Sequence, residues 1–284
     1  MEKIKVAVIG SGTMGKGIVQ VLAQSKCVSS IVWVGRSALA CALPLEDLNT
    51  QWDRMVNKKK LSSEDVSNFS RKISITSEYK EISDCGLIIE AVSEDMNIKH
   101  CIFKEIATTA NPNAVIASNT SSLSITELAS LTKNPQNVIG LHFFNPAPVM
   151  KLIEVIVGLS TSKETEIWAM NLAKSLGKDP VLVNEAPGFI VNRMLIPMIN
   201  EAIGILAEGV ASAEEIDKAM KLGANHPIGP LALADLIGND VNLSIMETLH
   251  NETGDSKYRA HPLLRKMVRA NRLGRKTGSG FYNY

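Results

Sequence analysis

The 284-residue sequence is poor in several things, and each shortage removes a class of protein. Net charge is almost absent: 30 Lys and Arg against 29 Asp and Glu leave a formal +1. Without a basic excess there is no electrostatic footprint for a nucleic acid or an acidic membrane surface. The four cysteines, Cys27, Cys41, Cys85 and Cys101, have no CxxC spacing and no companion histidines. They read as scattered reduced thiols of a cytoplasmic protein, and no metal site is expected. No apolar run reaches the ~18 residues of a membrane span, because Lys, Glu, Asn or Arg interrupts each one. The N-terminus is charged at Glu2, Lys3 and Lys5 and then gives only a short apolar burst, the pattern of a strand and not of a signal peptide. With 45% hydrophobic residues, the chain has apolar material for one large domain or two smaller ones.

What is present is an alternation. Short β-branched runs occur at Ile4–Ile9, Ile31–Val34, Leu87–Val92, Val115–Ala117, Val138–Phe143, Leu152–Val157 and Val181–Val183. Between them, Met14/Ile18/Val21/Leu22 and Leu45/Leu48/Trp52/Met55/Val56 keep the spacing of a buried helical face. Apolar strands separated by amphipathic helices predict a parallel sheet covered on both faces. After Pro187-Gly188 the strand pattern stops. Ser212 and Glu215 have capping-box spacing before Ile216 and Met220, Gly229-Pro230 opens a helix with Leu231, Leu236 and Ile237, and His261-Pro262 precedes a third. The expectation is an α/β domain over 1–186 and an all-helical domain over 187–284, ending in an ordered glycine-rich tail from Arg275.

The most specific local signal is Gly10-Ser11-Gly12-Thr13-Met14-Gly15, which follows a predicted strand and opens a predicted helix. Gly10 permits the tight turn, Gly12 clears the path of a pyrophosphate, and Gly15 lets helix and strand approach. Amides at the helix start then face the phosphates of a dinucleotide. The bland alternative is a strand–helix connection with no ligand. Such a fingerprint next asks for an acid at the end of the second strand, to accept bonds from the ribose hydroxyls. Here that position reads Gly35-Arg36-Ser37, and the acid is missing.

His142 ends the run Val138–Phe143, and Glu154 lies among Leu, Ile and Val in the next run. An acid in that setting needs a partner, and a carboxylate beside an imidazole is a recurring way to orient a catalytic histidine. A structural ion pair is the alternative. Ser118-Asn119-Thr120-Ser121-Ser122 follows a strand at the end where ligands sit in open α/β sheets. It can supply donors to a substrate oxygen or cap the helix near Ile125, with Ser124 and Glu127 as a capping box. Asn192 is expected inside an apolar helix Phe189–Met198, where an amide must find partners. Glu90, Glu94 and Lys99 fall where a bound cofactor passes, with plain surface charge as the alternative for Lys99. Arg54, Lys58, Lys59 and Lys60 read as a solvated helix end or as an attractor for a polyanionic substrate such as a coenzyme A thioester. The other histidines have no metal-site spacing.

Taken together, GSGTMGKGI at 10–18, SNTSSL at 118–123, HFFNPAPVMKLIE at 142–154, EAPGFIVNR at 185–193 and GRKTGSGFYNY at 274–284 resemble the 3-hydroxyacyl-CoA dehydrogenase family over essentially the whole chain. The resemblance implies a Rossmann-type domain followed by a helical domain that drives dimerisation. It implies hydride transfer between a nicotinamide and the acyl C3, on an acyl-CoA such as acetoacetyl-CoA or (S)-3-hydroxybutyryl-CoA. His142 then matches the general acid–base and Glu154 its orienting acid, while Ser121 and Asn192 match residues that bind the reacting oxygen. Glu94, Lys99, Asn119, Asn145 and Lys276 stand at dinucleotide contacts, and Arg54 and Lys58 in the region used for CoA. Gly35 departs from the family, most of which has aspartate there. With Arg36 and Ser37 beside it, that departure predicts NADP(H) in preference to NAD(H). Hydroxyacid or imine reductases of the same two-domain plan, and a non-catalytic dinucleotide-binding protein, are the competing readings. The apolar content of Phe189–Leu206 and Leu231–Ile237 predicts a homodimer through residues 187–284.

Overall fold

The computed structural model describes residues 3–284. The chain divides into two compact units, one ending at Glu185 and one beginning at Ala186. The first is a single sheet wrapped by helices. Its strands are β1 (Ile4–Ile9), β2 (Val28–Val34), β3 (Ile73–Thr76), β4 (Leu87–Glu90), β5 (Val115–Ser118), β6 (Val138–Phe143), β7 (Leu152–Val157) and β8 (Asp179–Asn184). Between them run α1 (Thr13–Gln24), α2 (Ala38–Asn57), α3 (Ser63–Arg71), α4 (Met96–Thr109), α5 (Ile125–Ser130) and α6 (Lys163–Ser175).

The strand order is β3-β2-β1-β4-β5-β6-β7-β8, so the chain reverses direction across the sheet between β1 and β4. Ligands of open α/β sheets bind at that switch point, beyond the carboxyl ends of the strands. Val6, Val8, Ile31, Trp33, Leu87 and Ile89 are fully buried in the middle of the sheet, beneath Ile18 and Leu22 of α1 and Leu48 and Trp52 of α2. Burial on both faces explains why these strands read as continuous apolar runs rather than alternating ones.

Two features depart from the sequence-based expectation. β3 lies outside the apolar runs: it is a four-residue edge strand of alternating Ile73, Ser74, Ile75 and Thr76, only partly buried. The sheet is also not wholly parallel, because β7 runs antiparallel to β6. Only residues 144–151 join those strands, and a parallel crossover needs about a dozen residues or more. The hairpin sets His142 directly opposite Glu154 in the ladder.

The second unit contains α7 (Val191–Ala207), α8 (Ala213–Gly223), α9 (Pro230–Ile237), α10 (Asn239–Thr253) and α11 (Pro262–Arg269). Ile199, Leu231, Met246, Leu249 and Leu264 are its fully buried centre. Among the described residues it has no strand, only isolated bridges from Ser279 to Gly274 and Asn283. Two buried aspartates hold its C-terminal tail. Asp235 accepts from the backbone amides of Phe281 at 3.0 Å and Tyr282 at 2.9 Å. Asp217 accepts from the Tyr282 hydroxyl at 2.8 Å while also capping α9 through the Leu231 and Ala232 amides. Among the described residues no helix is long and apolar enough to cross a membrane.

Candidate active site

The glycine turn lies between β1 and α1, and each glycine there is demanded by a different neighbour. Gly10 has φ +120° and lies so close to β4's exit that an added Cβ would stand 2.4 Å from the Ala91 carbonyl oxygen. A Cβ at Gly15 would stand 2.0 Å from the Gly10 oxygen, whereas one at Gly12 would meet nothing within 4 Å. The first two close the turn, and the third leaves open space in front of the first amides of α1. The buried indole of Trp33, on β2, donates to the Gly10 carbonyl at 2.9 Å and fixes the turn from the side.

A cavity of about 740 Å³ opens there, lined by Gly10 to Met14, Gly35, Arg36, Ser77, Tyr79, Val92, Ser93, Ile98 and Ile102 among others. Its position at the switch point, the open face of Gly12 and the helix N-terminus above it fit a dinucleotide. Ser77 and Tyr79 escaped sequence reading because the strand that delivers them, β3, did. Burial pushes the Tyr79 phenol up to about 12, so it remains a neutral donor.

At the end of β2, Arg36 and Ser37 are exposed. The Ser37 hydroxyl oxygen accepts from the Ala40 amide at 3.2 Å and caps α2, which leaves its proton as a donor. A Cβ at Gly35 would lie 2.6 Å from Cys41 Sγ and 2.9 Å from the Ser37 carbonyl oxygen. The missing acid is therefore built into the packing, since α2 closes on the space an aspartate side chain would enter.

Towards the other side of the sheet, His142 Nδ1 and Glu154 Oε2 are 2.8 Å apart. The residues are 4% and 1% exposed, which makes this a desolvated carboxylate–imidazole pair and not a surface bridge. Phe144 tilts against the imidazole, with ring centroids 4.4 Å apart. Asn119 Oδ1 accepts the Phe143 amide at 2.9 Å, tying the β5 loop to the strand end that carries His142.

A second buried network organises the serine-rich loop. Glu90, fully buried at the end of β4, accepts from Lys99 Nζ at 2.7 Å, from the Val92 amide at 2.7 Å and from the Ser118 hydroxyl at 2.6 Å. Lys99 is 1% exposed, which overturns the surface-charge alternative for it. Its ammonium also lies 3.5 Å from Glu94 Oε2. The other oxygen of Glu94 gathers the Thr120 hydroxyl at 2.7 Å and the Ser121 and Ser122 amides at 2.7 and 3.1 Å. Glu94, Lys99, Asn119 and Asn145 do not line the cavity itself, which reaches only their neighbours Ser93 and Ile98.

The capping box expected at Ser124 is only half made. Ser124 Oγ accepts the Glu127 amide at 3.0 Å, but the Glu127 carboxylate turns to His100 at 2.7 Å. Arg54 and Lys58 lie exposed at the C-terminal end of α2. In the second unit, Asn192 is half-buried in the first turn of α7 and not inside a helix from Phe189. The helix starts later because Gly188 and Phe189 both have positive φ, 71° and 52°. Lys276 pairs with Asp240 at 2.5 Å. Among the described residues no cluster of three His, Cys, Asp or Glu side chains can hold a metal ion.

Strand order and glycine cradle together place the chain in the class of dinucleotide-binding oxidoreductases. More narrowly, the chain belongs to the 3-hydroxyacyl-CoA dehydrogenase family: residues 5–186 match its NAD binding domain and residues 188–284 its C-terminal domain. It is similar to 3-hydroxybutyryl-CoA dehydrogenase of Clostridioides difficile, with 56% identity over 281 residues covering 99% of each chain. It is 50% identical over 284 residues to the probable 3-hydroxybutyryl-CoA dehydrogenase of Bacillus subtilis (strain 168), covering 100% of this chain and 98% of that one. Its fold is similar to the crystal structure of (S)-3-hydroxybutyryl-CoA dehydrogenase from Ralstonia eutropha, with TM-score 0.95 and 47% identity over 100% and 99% of the two chains. It is an enzyme whose first unit is an NAD(P)-binding domain.

Proposed function

We propose that the enzyme interconverts acetoacetyl-CoA and (S)-3-hydroxybutyryl-CoA, favours NADP(H) as cofactor, and acts as a cytoplasmic homodimer. The observation that carries the reading is the buried His142–Glu154 contact of 2.8 Å, supported by full-length likeness to the 3-hydroxybutyryl-CoA dehydrogenases of Clostridioides difficile and, as a probable one, Bacillus subtilis (strain 168). A nicotinamide dinucleotide held at the Gly10–Gly15 turn would supply or accept the hydride at the acyl C3.

The chain's own residues handle the proton and the orientation. With Nδ1 bound to Glu154, His142 uses Nε2 to donate a proton to the 3-keto oxygen in reduction and to remove it in oxidation. Glu154 holds the ring orientation and stabilises the imidazolium. Ser121, on the loop that Glu94 anchors, hydrogen-bonds the reacting oxygen, and Asn192 is assigned the same task. Gly10 to Gly15 bind the pyrophosphate, with Glu94, Lys99, Asn119, Asn145 and Lys276 at the rest of the dinucleotide. Lys99, bonded to Glu90 at 2.7 Å and 3.5 Å from Glu94, then acts through those two carboxylates. Arg54 and Lys58 attract the CoA phosphates. For the dimer, the exposed apolar side chains Met194, Val210 and Leu222, at 73%, 69% and 79% exposure, are the supporting observation in the second unit.

Oxidation of NADPH and NADH by acetoacetyl-CoA, measured beside pyruvate-type acids, tests the reading. Turnover with the thioester alone is expected. Preference for a free 2-oxoacid would replace it with a hydroxyacid reductase.

A further inference from the structure

We propose that Lys178 is a positioning residue for proton transfer, acting on His142 through the loop that joins β6 to β7. The proposal rests on the reading of His142 and Glu154 given above. Lys178 stands just before β8 and is 7% exposed. Its Nζ donates to the carbonyl oxygens of Ala147 at 2.6 Å and Met150 at 2.8 Å. Burial holds its pKa below the usual lysine value. A buried ammonium is costly unless it is hydrogen-bonded, and here the compensation comes from backbone of a single loop.

That loop needs an outside anchor. Residues 145–148 read Asn-Pro-Ala-Pro, and the two prolines have no N–H to give. Its internal bonds are those from the Val149 and Met150 amides to the Pro146 oxygen, both 3.0 Å. On one flank the loop presses on α1 at Gly17, where an added Cβ would stand 3.1 Å from Ala147 Cβ. On the other, Lys178 grips it. The loop is thus seated between the helix that opens at the phosphate turn and the start of β8. His142 lies just before it, Asn145 within it and Glu154 just after it. Without the ammonium, the Ala147 and Met150 carbonyls lose their common donor, and with only the Asp179 amide still holding the Lys151 carbonyl at 2.9 Å the loop is expected to shift against α1. A displacement of about 1 Å between reacting groups costs as much as about 10²-fold in rate.

The test is Lys178→Met in the full-length enzyme, with kcat, KM for acetoacetyl-CoA and the Kd of NADPH measured separately. The expected result is a fall in kcat of about 10- to 100-fold, with KM and Kd within about threefold of the parent. Lys178→Ala offers a second readout. A cavity of about 360 Å³ lies against Lys178, lined also by Lys26, Pro148, Ser175 and Gly177. Added ethylammonium is expected to restore kcat saturably in that variant and to leave the parent unchanged. If Lys178→Met does not fold, Lys178→Gln, which keeps a donor on a shorter stem, decides, with an intermediate kcat expected. A folded Lys178→Met or Lys178→Gln with kcat within about threefold of the parent overturns the proposal. So does a parallel loss of kcat and cofactor affinity with no response to the amine. His142→Gln separates the two layers of argument: if it keeps turnover, both readings fall. If it loses turnover while folded Lys178→Met keeps it, only the role of Lys178 falls.

Discussion

Restoring an acid at the end of β2 is the obvious way to turn the enzyme toward NADH, and Gly35→Asp alone is expected to fail. Its Cβ would lie 2.6 Å from the sulfur of Cys41 and 2.9 Å from the Ser37 carbonyl. Cys41 is fully buried near the start of α2 and is part of the hydrophobic core. Overpacking of this kind costs about 1–3 kcal/mol. In a unit of this size that lowers Tm by roughly 2–12 °C. Cys41→Ala removes the nearer obstacle, so Gly35→Asp/Cys41→Ala is expected to recover most of the loss, the remainder coming from the Ser37 carbonyl. Selectivity is a separate quantity. On the proposed NADP(H) preference, a charge-assisted bond from Arg36 to a 2′-phosphate would contribute about 1.5–3 kcal/mol, or about ten- to a hundredfold in kcat/KM. The triple variant Gly35→Asp/Arg36→Ile/Cys41→Ala loses that bond and gains a carboxylate that repels the phosphate, so its NADPH-to-NADH ratio should fall by at least about a hundredfold. The assay is kcat/KM for each cofactor with acetoacetyl-CoA, beside thermal melts. Equal or better use of NADH by the parent refutes the role of Arg36. An unchanged Tm for Gly35→Asp refutes the steric argument.

His142→Gln should lower kcat by about 10²–10⁴-fold with cofactor affinity nearly intact; Glu154→Gln should also fall sharply, and the double variant should lose far less than the product of the two, whereas near-normal turnover in either single variant removes the pair from the mechanism. Deleting residues 281–284 strips Asp235, 1% exposed, of two backbone amides, so urea unfolding of the truncated chain should report a loss of about 3–5 kcal/mol. Burial raises the thiols of Cys41 and Cys85 from 9.0 to about 11. A raised thiol pKa favours the neutral form in the fold, so the stability it contributes is whole below pH 9 and is lost as pH rises through 11. Denaturation midpoints across that range should fall, and Cys41→Ala/Cys85→Ala should flatten the fall. At pH 8 and native conditions a thiol reagent should react fast with exposed Cys101 and reach Cys41 and Cys85 only on unfolding.

Much of this protein is written locally and can be read locally. The glycine turn depends on three positions in six residues flanked by a strand and a helix, and β1, β6 and β7 are runs whose apolar content follows from burial on both faces. The pairing of His142 with Glu154 was legible for a similar reason: a lone acid in an apolar strand advertises the need for a partner. The glycine in place of an acid at the end of β2 was visible too, but its cause was not, because Cys41 reaches it only when α2 folds back over the strand. Tertiary structure alone decided whatever depends on groups brought together over distance. The burial of Lys99 depends on Glu90, which is itself held by Ser118 of the neighbouring strand β5. The grip of Lys178 on Ala147 and Met150 spans some thirty residues and is made to backbone oxygens, which every residue possesses. A side chain that binds a carbonyl leaves no signature in its partner's identity, and only the folded chain shows which carbonyl it has found.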